Sequence, residues 1–158
     1  MQKGKNASII ICGWSCKVIQ NASKNFKFRT TVLQSGCGSS GSTFHGLLDV
    51  LEGLPDLRVF IGENVKEMTK ISSDNRTFMY ESLAKHGWVS DIQLLEASEY
   101  GACVRRPRAW VIAYNAKRLG IEVHVAHRMV ADTFQLVNRL KVVSEISLLD
   151  RRRLGQEW

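Results

Sequence analysis

With 158 residues, 44% of them hydrophobic, the chain has enough apolar material for one core of ordinary domain size, and its length calls for a single domain over residues 1–158. Its apolar runs stop at about six residues, too short for a membrane-spanning helix, and the charged start Met-Gln-Lys-Gly-Lys-Asn has no apolar stretch behind it of the kind a signal peptide needs. A net charge of +7 favours anionic partners, nucleic acid first, and the four cysteines are too irregularly placed for a disulfide framework, so reduced thiols in a soluble, intracellular protein are expected.

Residues 7–12 (ASIIIC) form a continuous apolar run of strand length, the pattern of a parallel strand covered on both faces. The next 28 residues, 13–40, carry no helical or strand period and lead into the Gly/Ser-rich run SGCGSSGST, which predicts a long loop. From Ser42 onward Phe44, Leu47, Leu48, Leu51 and Leu54 recur every three or four residues, predicting an amphipathic helix with Ser42 as its cap and Pro55 past its end. A second strand is expected over residues 57–61, completing a strand, crossover helix, strand unit.

Asp74 is expected to cap a helix running to about His86, with Phe78, Met79, Ser82 and Leu83 facing inward and Gly87 ending it. Residues 89–95 and 109–114 read as two further strands joined by the loop EASEYGACVRRPR, the last strand running antiparallel to the first two. The tail places Ala126, Val130, Phe134, Val137 and Leu140 on one face of a helix ending near Lys141, packed on the sheet.

In open α/β sheets, ligands bind beyond the carboxyl ends of the parallel strands. Strand one is followed there by Gly13-Trp14-Ser15-Cys16-Lys17 and strand two by Gly62-Glu63-Asn64-Val65, while the last strand begins just after Arg106 and Arg108, which at period two point to one side. A thiol, a carboxylate and guanidinium groups are thus expected on one rim. Cys12 reads as a buried structural thiol, and the set Cys12, Cys16, Cys37 and His45 lacks any Cys-x-x-Cys pair, so no metal site is expected.

These segments, in this order, resemble the motif series of the cytosine carbon-5 DNA methyltransferases. The nucleophile motif Gly-x-Pro-Cys-Gln is matched by Gly13-Trp14-Ser15-Cys16-Lys17, the Glu-Asn-Val motif by Glu63-Asn64-Val65, and the Gln-x-Arg-x-Arg motif by Val104-Arg105-Arg106-Pro107-Arg108 after Tyr100-Gly101. The resemblance covers about residues 8–114, leaving a helical tail over about 115–158. It implies an α/β fold: part of a Rossmann-like class I methyltransferase sheet, about four strands, mostly parallel with one antiparallel, flanked by helices.

The resemblance further implies that Cys16 adds to carbon 6 of a flipped cytosine, that Glu63 holds ring N3 and the exocyclic amine, and that Arg108 reaches the base carbonyl while Arg106 steadies the loop or a phosphate. S-adenosylmethionine is the implied methyl donor, with Ser42, Thr43 and Phe44 matching the one segment here that touches it in relatives. DNA is the implied partner, with RNA as an alternative substrate, and the compartment is the nucleus in a eukaryote. From another class, a non-catalytic nucleic-acid-binding remnant would keep the arginine loop and the basic charge.

Two departures carry expectations of their own. Ser15 replaces the family's proline and should leave Cys16 less rigidly aimed. The Phe-x-Gly-x-Gly cofactor turn and a recognisable target-recognition region are missing, so apolar surface should be exposed at a sheet edge unless a complementary chain or the tail helix covers it.

Overall fold

A computed structural model describes residues 8–16, 31–36, 38–70 and 74–154, with side chains described as far as residue 141. Four strands form one sheet: β1 (Ile9–Gly13), β2 (Val59–Val65), β3 (Trp88–Glu96) and β4 (Pro107–Asn115), in the spatial order β1-β2-β4-β3. β1 and β2 are parallel, and β4 runs antiparallel to both β2 and β3. Three strands therefore share one direction and one opposes them, as expected.

The helices are α1 (Val32–Ser35), α2 (Gly38–Gly53), α3 (Asp74–Lys85), α4 (Ala116–Leu119) and α5 (Val123–Leu154), with short 3-10 turns at Lys66–Thr69 and Ala97–Tyr100. Alternation along the strands divides the apolar residues between two layers. On one face Phe60, Val111 and Ile92 meet Phe44, Leu47 and Leu51 of α2 and Met79 and Leu83 of α3. On the other, Val89 and Ile112 meet Ala126, Val130 and Phe134 of α5, and the Tyr114 hydroxyl bonds that of Thr133 at 3.0 Å. No helix among the described residues is long and apolar enough to cross a membrane.

Several boundaries differ from expectation. α2 begins at Gly38, so Ser42 is not its cap: its hydroxyl donates back to the Gly38 carbonyl at 3.0 Å. The expected loop over 13–40 contains α1, which presses so closely on α2 that a Cβ on Gly41 would lie 2.6 Å from the Val32 carbonyl oxygen. The Gly/Ser composition of this stretch thus serves close helix packing rather than a loop. Residues 17–30 and Cys37 lie outside the described residues.

β2 extends to Val65 because β4 pairs with it through the register Val65↔Arg108, so Glu63 and Asn64 belong to the strand instead of following it. α5 runs well past Lys141, and Leu140, expected on its buried face, is 62% exposed. Beyond β1 no further strand is described, and Ile9 and Ile11 stand 57% and 68% exposed. The expectation of a strand covered on both faces therefore fails for β1, which exposes these two side chains at the edge of the sheet.

Candidate active site

Glu63 and Arg108 meet across the β2–β4 pair. Arg108 Nε lies 2.8 Å from Glu63 Oε1, and its Nη1 donates to the Pro107 carbonyl at 2.8 Å. The reason is register: Glu63 stands opposite Trp110 and Val65 opposite Arg108, so the guanidinium is the diagonal neighbour of the carboxylate on the same face. Both side chains keep some solvent contact, which leaves the carboxylate open to a ligand.

A cavity of about 820 Å³ opens beside this pair, with Glu63, Arg106, Arg108, Trp110, Tyr100 and Gly13 among its walls. It combines apolar walls with a few polar groups, the usual make-up of a small-ligand pocket. The Arg106 backbone N–H donates to a Glu96 carboxylate oxygen, which ties the arginine segment to the end of β3. Tyr100 closes the other wall: its hydroxyl is buried with no partner, and burial pushes its pKa up.

The end of β1 approaches the same carboxylate. Gly13 is in register with Glu63, and a Cβ at Gly13 would sit 3.2 Å from Glu63 Oε2. Cys16, three residues on, is half-buried and packs against the core beneath α2; it is not among the walls of the cavity. The structure therefore brings Glu63, Arg108 and Arg106 together around one cavity but does not bring Cys16 into it: the thiol packs against the core cluster that holds Trp14 and Phe44, apart from the rim on which it was expected.

The segment leading to Cys16 is fastened on two sides. Asn64, 2% exposed, donates from Nδ2 to the Trp14 carbonyl at 3.0 Å while its Oδ1 accepts the Val65 N–H at 2.8 Å. The Trp14 ring packs 5.7 Å from Phe44 and lies over Gly62, where a Cβ would come within 2.9 Å of it. The Ser15 N–H donates to Thr43 Oγ1 at 3.1 Å, and its hydroxyl donates to Ser39 Oγ at 3.1 Å.

Of the segment expected to touch a cofactor, Phe44 is fully buried in the core. Thr43 Oγ1 is engaged with Ser15 and with the Ser39 carbonyl, at 2.6 Å, and Ser42 is exposed. Cys12, expected to be buried, is half-buried and forms part of the cavity wall, with desolvation pushing its thiol pKa up. His45 is held by the Leu33 carbonyl at 2.8 Å. Sequence reasoning missed Trp110 and Tyr100; Trp110 was within reach, because at period two it shares a strand face with Arg108.

The sheet order and the acid–guanidinium pair at its carboxyl edge define a methyltransferase-like α/β domain. In sequence, residues 53–148 match the model of the C-5 cytosine-specific DNA methylases, more than half of the chain, and the chain belongs to that family. The match includes Glu63-Asn64-Val65 and the arginine segment, and begins after Cys16.

Among solved structures, the methyltransferase EhMeth of Entamoeba histolytica is similar in fold, with a TM-score of 0.52 at 18% identity over 69% of this chain and 32% of that one. A mutant of DNMT2 from Spodoptera frugiperda (TM-score 0.47, 23% identity, 70% of this chain, 30% of that one) and the Dnmt2 methyltransferase of S. pombe (0.47, 15%, 69%, 31%) are also similar. The chain spans about a third of the length of each. No curated protein matches it significantly.

Proposed function

We propose that this chain is the catalytic segment of a DNA (cytosine-5-)-methyltransferase, with Cys16 as nucleophile and Glu63, Arg106 and Arg108 as the groups that hold the base. The observation that carries this reading is the Glu63–Arg108 pair at 2.8 Å beside the end of β1, in a cavity large enough for a pyrimidine. Membership of the C-5 cytosine-specific DNA methylase family favours cytosine in DNA over other anionic partners.

The chemistry follows from the ring. Carbon 5 of cytosine is too electron-poor to take a methyl group directly, so a thiolate first adds at carbon 6 and makes carbon 5 nucleophilic. Glu63 accepts the exocyclic N–H through one oxygen, and a proton shared between its other oxygen and ring N3 neutralises the negative charge that develops there as sulfur attacks. Arg108 holds Glu63 in place and reaches the base carbonyl, while the exposed Arg106 is free to meet a flanking phosphate. Once carbon 5 carries the methyl group, loss of its proton to water lets the ring expel sulfur as the thiolate that entered, and N3 returns its proton to Glu63.

S-adenosylmethionine supplies the methyl group. Because Phe44 is buried and Thr43 is engaged, Ser42, exposed in the second turn of α2, is the residue of that segment left to meet the cofactor. Most of that site falls to parts of the enzyme outside these residues, such as a complementary chain that covers Ile9 and Ile11 at the sheet edge. A cytosine within a stacked duplex hides carbon 6, so the base must be flipped into the cavity.

The test is covalent trapping. Mixed with S-adenosylmethionine and duplex DNA carrying 5-fluorocytosine, the protein should form an adduct that survives denaturation and that Cys16→Ser abolishes. An adduct formed only with the matching RNA would move the substrate to RNA. Absence of adduct with both, alongside retained DNA binding, would leave a non-catalytic binding remnant.

A further inference from the structure

Resting on that reading, we infer that Thr43 and Ser39 of α2 are positioning residues that hold the Cys16 segment through hydrogen bonds to Ser15. At the residue before the sulfur, the family pattern has proline, which stiffens the chain by itself but has no N–H to give. Here Ser15 offers both a backbone donor and a hydroxyl. Its N–H reaches Thr43 Oγ1 at 3.1 Å and its hydroxyl reaches Ser39 Oγ at 3.1 Å.

The acceptor is itself fixed. Thr43 Oγ1 donates to the Ser39 carbonyl at 2.6 Å, so its lone pairs are turned away from that carbonyl and toward the Ser15 N–H. α2 is in turn locked to α1 by the close approach at Gly41. From the opposite side, Asn64 holds the Trp14 carbonyl, and the Trp14 ring fills the space above Gly62.

Residues 14 and 15 are thus gripped between β2 and α2, and Cys16 leaves this grip with its direction set. The expectation that serine loosens the aim of Cys16 therefore gives way: hydrogen bonds replace the stiffness of the proline ring. Thr43 also acquires a part different from cofactor contact, since its hydroxyl is already engaged.

The test separates the hydroxyl of Thr43 from its bulk. Thr43→Val keeps the shape and deletes the hydroxyl, whereas Thr43→Ser keeps the hydroxyl. Hydrogen exchange at the Ser15 amide should rise about three- to tenfold in Thr43→Val, the range a lost hydrogen bond spans, and stay at the wild-type rate in Thr43→Ser. Alkylation of Cys16 by iodoacetamide, followed by peptide mapping, should quicken in the same variant alone. In a Ser15→Pro background, which has no amide at that position to follow, Thr43→Val should leave the Cys16 alkylation rate unchanged, because the donor is gone.

On 5-fluorocytosine DNA, adduct formation by Thr43→Val should slow about three- to tenfold while its urea midpoint stays within error of the wild type. Equal Ser15 exchange and equal Cys16 alkylation in Thr43→Val and wild type would overturn the inference, as would an unchanged adduct rate where wild type reacts. Failure of every protein to form an adduct would instead remove the methyltransferase reading, and the exchange and alkylation rates would still decide whether Thr43 holds the segment.

Discussion

Arg108 Nε sits 2.8 Å from Glu63 Oε1, one strand away and two pairs along the register, so the acid of the Glu-Asn-Val segment is oriented by the last arginine of the following motif. Both side chains retain solvent contact, and an ion pair of that kind adds at most about 1 kcal/mol to folding. Its use is orientation. Arg108→Met should therefore shift the urea midpoint little while lowering adduct formation on 5-fluorocytosine DNA at least tenfold. A large loss of stability with adduct formation intact would show that the pair serves folding instead.

Asn64 makes two buried bonds, one as donor and one as acceptor. Asn64→Ala leaves the Trp14 carbonyl and the Val65 N–H without their partner, at a cost of about 1–3 kcal/mol for each group that water does not reach. Asn64→Asp keeps an acceptor for Val65 but loses the donor to Trp14 and buries a charge, so it should be no milder. Urea denaturation measures both.

Gly62 is required by its neighbours rather than by its backbone. A Cβ there would stand 2.6 Å from Phe60 Cζ and 2.9 Å from Trp14 Cζ3. Gly62→Ala should destabilise by about 1–3 kcal/mol through overpacking. Trp14→Leu in the same chain should restore only part of the loss, since the Phe60 contact remains.

Arg118 joins the end of α2 to α4: its Nη1 donates to the Leu54 and Leu57 carbonyls at 2.9 and 3.0 Å, and its guanidinium stands 5.7 Å from the centre of the Trp88 ring. Arg118→Met should cost about 2–3 kcal/mol by urea denaturation, because two carbonyls lose a charged donor. Arg118→Lys should recover less than half, since one ammonium cannot reproduce the fork.

Burial raises the Cys12 pKa above its ordinary 9.0, so the folded chain holds this proton more tightly than the unfolded chain does. The stability this contributes is complete below pH 9 and is lost as pH rises through the raised value. Urea midpoints measured from pH 8 upward should fall less steeply in Cys12→Ala than in wild type. At pH 8, iodoacetamide should modify exposed Cys103 well before Cys12.

Much of the sheet is legible from the chain because its strands are apolar runs closed by turns, and the Glu63–Arg108 meeting follows once the last strand is taken as antiparallel. Register is less legible. Whether Glu63 follows β2 or lies within it depends on how far β4 pairs, a tertiary fact with no local signature. α1 and the start of α2 were hidden for a different reason: Gly36, Gly38 and Gly41 read as breakers, yet Gly41 is where two helices touch. The Ser15–Thr43 bond joins residues 28 apart, with nothing in either segment to announce it.

The most direct measurement of whether Cys16 and Glu63 act on one ring is the release of tritium to water from DNA carrying cytosine tritiated at carbon 5, since addition of sulfur at carbon 6 labilises that hydrogen without methyl transfer. Release above the protein-free control, lost alike in Cys16→Ser and Glu63→Gln, is the expected result. Release at the same rate in Cys16→Ser as in wild type, or none above the control with wild type, would contradict it.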